Sequence, residues 1–155
     1  SVWTVLRHRD GKRVLAADAV EGALAGYEEP GTATGTRAIK KRKAITVPKT
    51  VDPRLGAFLG YLVGDGHISR VKRHVGLTTG DYEQAETFAA LALDLFGVEA
   101  LLRKDEGGWR VLVHAEDLSD FLVEGLGLTH GPSAREKRIP EAILRSPERV
   151  VRAFL

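Results

Sequence analysis

The chain contains no cysteine in its 155 residues. That absence removes disulfides, zinc–thiolate clusters and thiol catalysis together. It also lacks a run that could cross a bilayer. A spanning helix needs about 20 apolar residues, and the uncharged stretch from Leu55 to Gly64 falls well short. No signal peptide is visible, so we expect a cytoplasmic protein that does not engage membranes. Aromatic residues make up only 6% and the net charge is just +2. What is present is an ordinary apolar content of 43%. At this length one domain can bury roughly two-thirds of its surface.

The small net charge hides an asymmetry. Residues 1–50 hold ten Lys/Arg against five Asp/Glu, while residues 51–155 hold 13 against 16. The excess peaks at Arg37, Lys40, Lys41, Arg42 and Lys43, a run that attracts phosphate backbones without reading sequence. Residues 1–15 read as a hairpin turning at Asp10-Gly11, and Ala17–Tyr27 as a short helix. Pro30-Gly31 and the Thr/Gly/Ala stretch after it read as a linker. We therefore divide the chain into a basic N-terminal piece, 1–49, and a main domain, 50–155.

The main domain opens on Asp52-Pro53 and a helix reaching Gly64. Asp52 can accept the free N–H groups of the first turn, and proline suits the first helical position. A helix with no polar face is buried all round. Gly56, Gly60 and Gly64 recur every four residues and so share one face. Each costs roughly 1 kcal/mol against alanine, which makes sense where a second backbone must approach closely. Asp65 follows at the mouth of that contact. If a partner helix mirrors it, two aspartates meet, and a divalent cation between them removes the repulsion.

Phe58-Leu59-Gly60-Tyr61-Leu62-Val63-Gly64-Asp65-Gly66 resembles the LAGLIDADG motif of homing endonucleases, in the version common in endonucleases embedded in inteins. The resemblance implies a pair of such helices, whose terminal aspartates bind Mg²⁺ and cut both strands of double-stranded DNA. Asp65 matches the metal-binding aspartate, with the Gly64 carbonyl as a further ligand; Gly60 and Gly64 match packing positions. Val63 departs from the name-giving motif at a position that is not the metal ligand. An intein splicing signature is missing, since there is no nucleophilic Cys, no Thr-x-x-His and no closing His-Asn.

Two short segments, Gly66–Val71 and His74–Thr79, then read as a hairpin. Asp81–Phe96 is an amphipathic helix with Ala85, Phe88, Ala89, Leu91, Ala92 and Leu95 on its apolar stripe. Gly97 stops it. Val98–Lys104 and Trp109–His114 alternate as strands around Glu106-Gly107-Gly108. A helix over Glu116–Leu126 follows. This α+β order, αββαββα, matches the LAGLIDADG half-domain, whose four-stranded antiparallel saddle lies along the DNA major groove. Alternation on that face nominates His67, Ser69, Arg70, Lys72 and Arg73 as DNA contacts, with Thr78, Arg103 and Arg110 further along.

The segment Lys137-Arg138-Ile139-Pro140 resembles the Lys-x-Ile-Pro that follows the third helix in intein endonucleases. By that resemblance Lys137 is a catalytic lysine at the edge of the active site. A cation there offsets charge on a pentacovalent phosphate. Ser146-Pro147-Glu148 starts a last helix, in the place where two-motif members enter their second LAGLIDADG helix. The expectation is thus half of an endonuclease, inert as a monomer. The other half comes from the same chain, if it is longer, or from a homodimer. The competing expectation is a DNA-binding module or regulator that kept the fold and lost the chemistry.

Overall fold

The computed structural model describes residues 44–131 and 137–155. The expected N-terminal hairpin and helix, the linker and the basic run Lys40, Lys41, Arg42 and Lys43 lie outside the described residues. The first described helix, α1 (Pro53–Gly64), begins where the sequence places it. The Asp52 carboxylate accepts from the Leu55 N–H at 3.0 Å. Arg54 bonds both Asp52 and Asp94, the latter at 2.7 Å, and so ties α1 to the next helix. Strands β1 (Gly66–Ser69) and β2 (His74–Thr79) form the first hairpin, and α2 (Tyr82–Phe96) crosses behind it. Asp81 caps α2 through the Glu83 N–H at 2.8 Å, and Gly97 closes it in the left-handed region.

Strands β3 (Leu101–Asp105) and β4 (Gly108–Val113) complete a four-stranded antiparallel sheet of order β1-β2-β4-β3. Its edges are thus the first and third strands. Helix α3 (Glu116–Asp120) passes directly into a π-helical turn over Phe121–Gly125. The turn is closed by a Leu126 N–H to Phe121 carbonyl bond of 3.1 Å. After it come α4 (Glu141–Leu144) and α5 (Glu148–Phe154). Ile45 and Val47 pack against the same core, and the Thr46 N–H donates to the Phe96 carbonyl. The chain from Ala44 onward is therefore attached to the domain.

The period-two rule divides the sheet into an inner and an outer face. Ile68, Val75, Leu77, Val111 and Val113 are buried inward against the helices. Phe58 of α1 stacks on Phe88 of α2 at 4.8 Å, and Phe96 meets Phe58 and Phe121 edge-on. Helix α1 explains its missing polar face by sitting between two layers. Leu55, Phe58, Leu59 and Leu62 enter the core, and the glycine face lies under α5. A Cβ on Gly56 would stand 2.7 Å from the Val150 carbonyl oxygen, and one on Gly60 would collide with that of Phe154. Gly64 meets nothing within 4 Å. At two of its three positions the glycine stripe lies against this chain's own α5. Among the described residues no helix is long and apolar enough to cross a membrane.

Candidate metal centre and DNA face

The C-terminus of α1 gathers residues that lie far apart in the chain. Asp65 forms the helix C-cap, its N–H donating to the Tyr61 carbonyl at 3.1 Å, and its side chain is exposed. The C-terminal end of a helix carries partial negative charge, so a carboxylate there is unfavourable unless a cation sits beside it. Lys137 supplies one. Its Nζ donates to the Gly64 carbonyl at 2.9 Å and to the Gly66 carbonyl at 2.8 Å. Burial draws the pKa of Lys137 below the ordinary lysine value, while the Asp65 carboxylate pulls the other way. An ammonium has three N–H donors; two are engaged and one remains.

A cavity of about 340 Å³ opens beside this cluster, lined by Gly60, Tyr61, Gly64, Asp65, Gln84 and Phe154. Its oxygen donors include the Asp65 carboxylate and the Gly64 carbonyl, which keeps a second lone pair after accepting from Lys137. Hard oxygens of this kind suit Mg²⁺, which is held by one or two carboxylates together with substrate phosphates. Among the described residues no group of three or more His, Asp or Glu could hold a metal alone. The donors therefore fit half of a Mg²⁺ site. Gln84 was not anticipated, because a residue on α2 reaches the end of α1 only through tertiary packing.

The outer face of the sheet carries a second site. An open groove of about 740 Å³ is lined by His67, Lys72, His74, Thr78, Arg103, Arg110 and their neighbours. Cross-strand pairing sets Thr78 beside Arg110 and Arg110 beside Arg103, which gives one polar row across three strands. Arg110 also pairs with Asp105 at 2.7 Å. The first hairpin splits the remaining expected contacts. Ser69 accepts from the Lys72 N–H at 3.1 Å and shapes the turn. Arg70 and Arg73 line a separate pocket with Glu116, and Arg73 bonds that carboxylate at 2.9 Å. The cause is the turn itself: Arg73 has φ 50, which breaks strand alternation before β2 begins. His74 and His114 also line the groove. Counting two residues at a time from Thr78 to Gly76 and His74 would have found the first of them.

Comparison with known proteins agrees with this architecture. Residues 52–124 match the family described as LAGLIDADG-like domain. The chain is 29% identical over 148 residues to an A-type ATP synthase subunit of Pyrococcus abyssi, covering 95% of this chain and 14% of that protein. It is 34% identical over 104 residues to replication factor C small subunit of Methanocaldococcus jannaschii, covering 65% of this chain and 5% of the relative. Glutamine–fructose-6-phosphate aminotransferase of the same organism is 28% identical over 112 residues, covering 72% and 10%. The chain therefore spans only a small part of each of these relatives. Residues 52–124, which carry the glycine-faced helix and the four-stranded antiparallel sheet, form a LAGLIDADG-like domain.

Proposed function

We propose that this chain is one half of a site-specific double-stranded DNA endonuclease, of the homing type and embedded in an intein. The single observation that carries the nuclease reading is the meeting of Asp65 and Lys137 at the end of α1. A pure DNA binder has no need of a carboxylate at a helix C-terminus backed by a half-buried lysine. The intein context rests on the relatives. A replication factor, an aminotransferase and one component of an ATP synthase have unrelated names, yet each matches this chain over a small share of its length. An inserted element shared by unlike hosts accounts for that pattern.

In this reading the residues divide the work. Asp65 and the Gly64 carbonyl hold Mg²⁺ together with a second aspartate from a partner LAGLIDADG helix. A cation so held supplies Lewis-acid stabilisation of phosphate charge and a more acidic water. Lys137 spends two donors on fixing its own position and turns the third toward the phosphate oxygens. Thr78, Arg103, Arg110, Lys72 and His67 hold the duplex against the sheet. Positions 150 and 154 face Gly56 and Gly60. A helix continuing that four-residue series would lie against Gly64 and bring its own end beside Asp65.

The test is cleavage. Supplied with a second LAGLIDADG helix, the protein should nick or cut a duplex library with Mg²⁺ and not with EDTA. Duplex affinity should fall steeply between 50 and 200 mM salt, as phosphate contacts require. Affinity with no cleavage under any divalent ion would leave only the binding module. Lys137→Met in the same assay should lower the cleavage rate by about 10²-fold or more, the usual cost of losing one preorganised donor. Duplex affinity should change little. Equal rates would return Lys137 to a merely structural role.

A further inference from the structure

Three histidines lie together on the outer face of the sheet, and the cleavage chemistry uses none of them. Nε2 of His67 on β1 stands 3.2 Å from Nε2 of His74 on β2. Register pairs His67 with Gly76, and the imidazole of His67 lies across that glycine. A Cβ at position 76 would be 2.5 Å from Cε1 and 2.7 Å from Nε2 of the ring. The glycine is the notch that lets His67 reach its neighbour. His74 is only 6% exposed, and its ring meets that of His114 edge-on at 5.3 Å.

We propose that His74 is a positioning residue for DNA recognition: it donates from Nε2 to Nε2 of His67 and makes His67 a fixed Nδ1–H donor on the DNA-facing surface. The proposal rests on the DNA reading above. The proton assignment follows from His74. Its Nδ1 is buried without a hydrogen-bond partner. One arrangement leaves an unfilled lone pair there and the other an orphaned N–H, and orphaned buried N–H groups are the rarer fault. The hydrogen of His74 therefore sits on Nε2, His67 accepts it, and the hydrogen of His67 sits on Nδ1.

A donor with no free acceptor is selective. It suits guanine N7 and O6, adenine N7 or thymine O4, and it cannot pair with the cytosine or adenine amino groups. The surroundings disfavour a charge on either ring. Burial first, then Arg110, Lys137 and Lys72, lower the pKa of His67. Burial first, then His67, His114, Lys72 and Arg110, do the same for His74. Protonating His67 would put a hydrogen on the nitrogen that must accept.

Long-range proton–nitrogen spectra of the full chain read the tautomers directly. His67 should be protonated at Nδ1 and His74 at Nε2. His74→Phe keeps a ring against His114 and removes the donor, so His67 should become a tautomer mixture; His74→Gln, which can donate, should restore Nδ1–H. Sites selected from a random duplex library should lose preference at one base position in His74→Phe and regain it in His74→Gln, with overall affinity within about threefold. His67 protonated at Nε2 in the unaltered chain overturns the proposal. So does unchanged base preference in His74→Phe with duplex binding intact. If the tautomers are as stated and no duplex binds at any salt, the DNA reading fails, and the recognition role with it.

Discussion

Gly60→Ala is expected to destabilise the chain while Gly64→Ala, one turn along the same helix face, stabilises it. Helix propensity alone favours alanine at both sites by up to about 1 kcal/mol. What differs is the space. A methyl on Gly60 would run into the Phe154 backbone carbonyl of α5, and one on Gly64 meets nothing within 4 Å. Backbone cannot rotate away as a flexible side chain does, so Gly60→Ala must push α5 off α1 or strain both, at about 1–3 kcal/mol. Because α5 buries Val150 against the core, its displacement exposes apolar surface. Chemical denaturation should give opposite signs for the two variants. Hydrogen exchange should show faster α5 amides in Gly60→Ala only. Equal stabilisation by both would mean that the two helices do not touch at Gly60. The same pair tests assembly: if a second helix belongs against Gly64, Gly64→Ala should give a more stable chain with weaker cleavage.

This contrast marks where sequence reasoning was strong and where it ran out. The buried helix, its Asp52 cap, its glycine face and the stop at Asp65 were legible because each follows from local chemistry at fixed spacing. So were the two hairpins and α2, whose periods of two and 3.6 are unambiguous. Which helix covers the glycines was not legible, because Val150 and Phe154 approach Gly56 and Gly60 from almost a hundred residues away. Strand alternation gave Thr78, Arg103 and Arg110 their common row. It failed for Arg70 and Arg73, which stand in a four-residue turn rather than a strand. The histidine pair was half legible: His67 lay on a strand position already singled out, while His74 needed the register that sets Gly76 across from it. Lys137 came from resemblance alone, and nothing local could have told that it bonds the carbonyls on both sides of Asp65.

Asp65→Asn is expected to abolish cleavage by the assembled enzyme while leaving the fold at least as stable. The two effects share one cause. The carboxylate stands at the negative end of α1, where an anion is disfavoured by about 0.3–1 kcal/mol and an amide is not, and the attraction of Lys137 offsets part of that cost. Asparagine also tolerates helix ends well, so a thermal melt should rise or stay level. Catalysis responds in the opposite direction. An amide is a far weaker ligand for Mg²⁺, and Lewis-acid stabilisation is worth several kcal/mol, so the rate should fall by about 10³-fold or more. Duplex affinity should hold or increase, because one negative charge near the phosphates is gone. Lys137 provides an independent readout. Asp65 is the group that opposes the lowering of its pKa, so the substitution should lower it further, observable by titrating the ammonium resonance. Cleavage that survives in Asp65→Asn would remove the metal reading. Lost folding or lost duplex binding would show that the carboxylate holds the end of α1 together instead. Loss of cleavage with a held or raised melt and a lowered Lys137 pKa is the combination that a charged, cation-binding helix end produces.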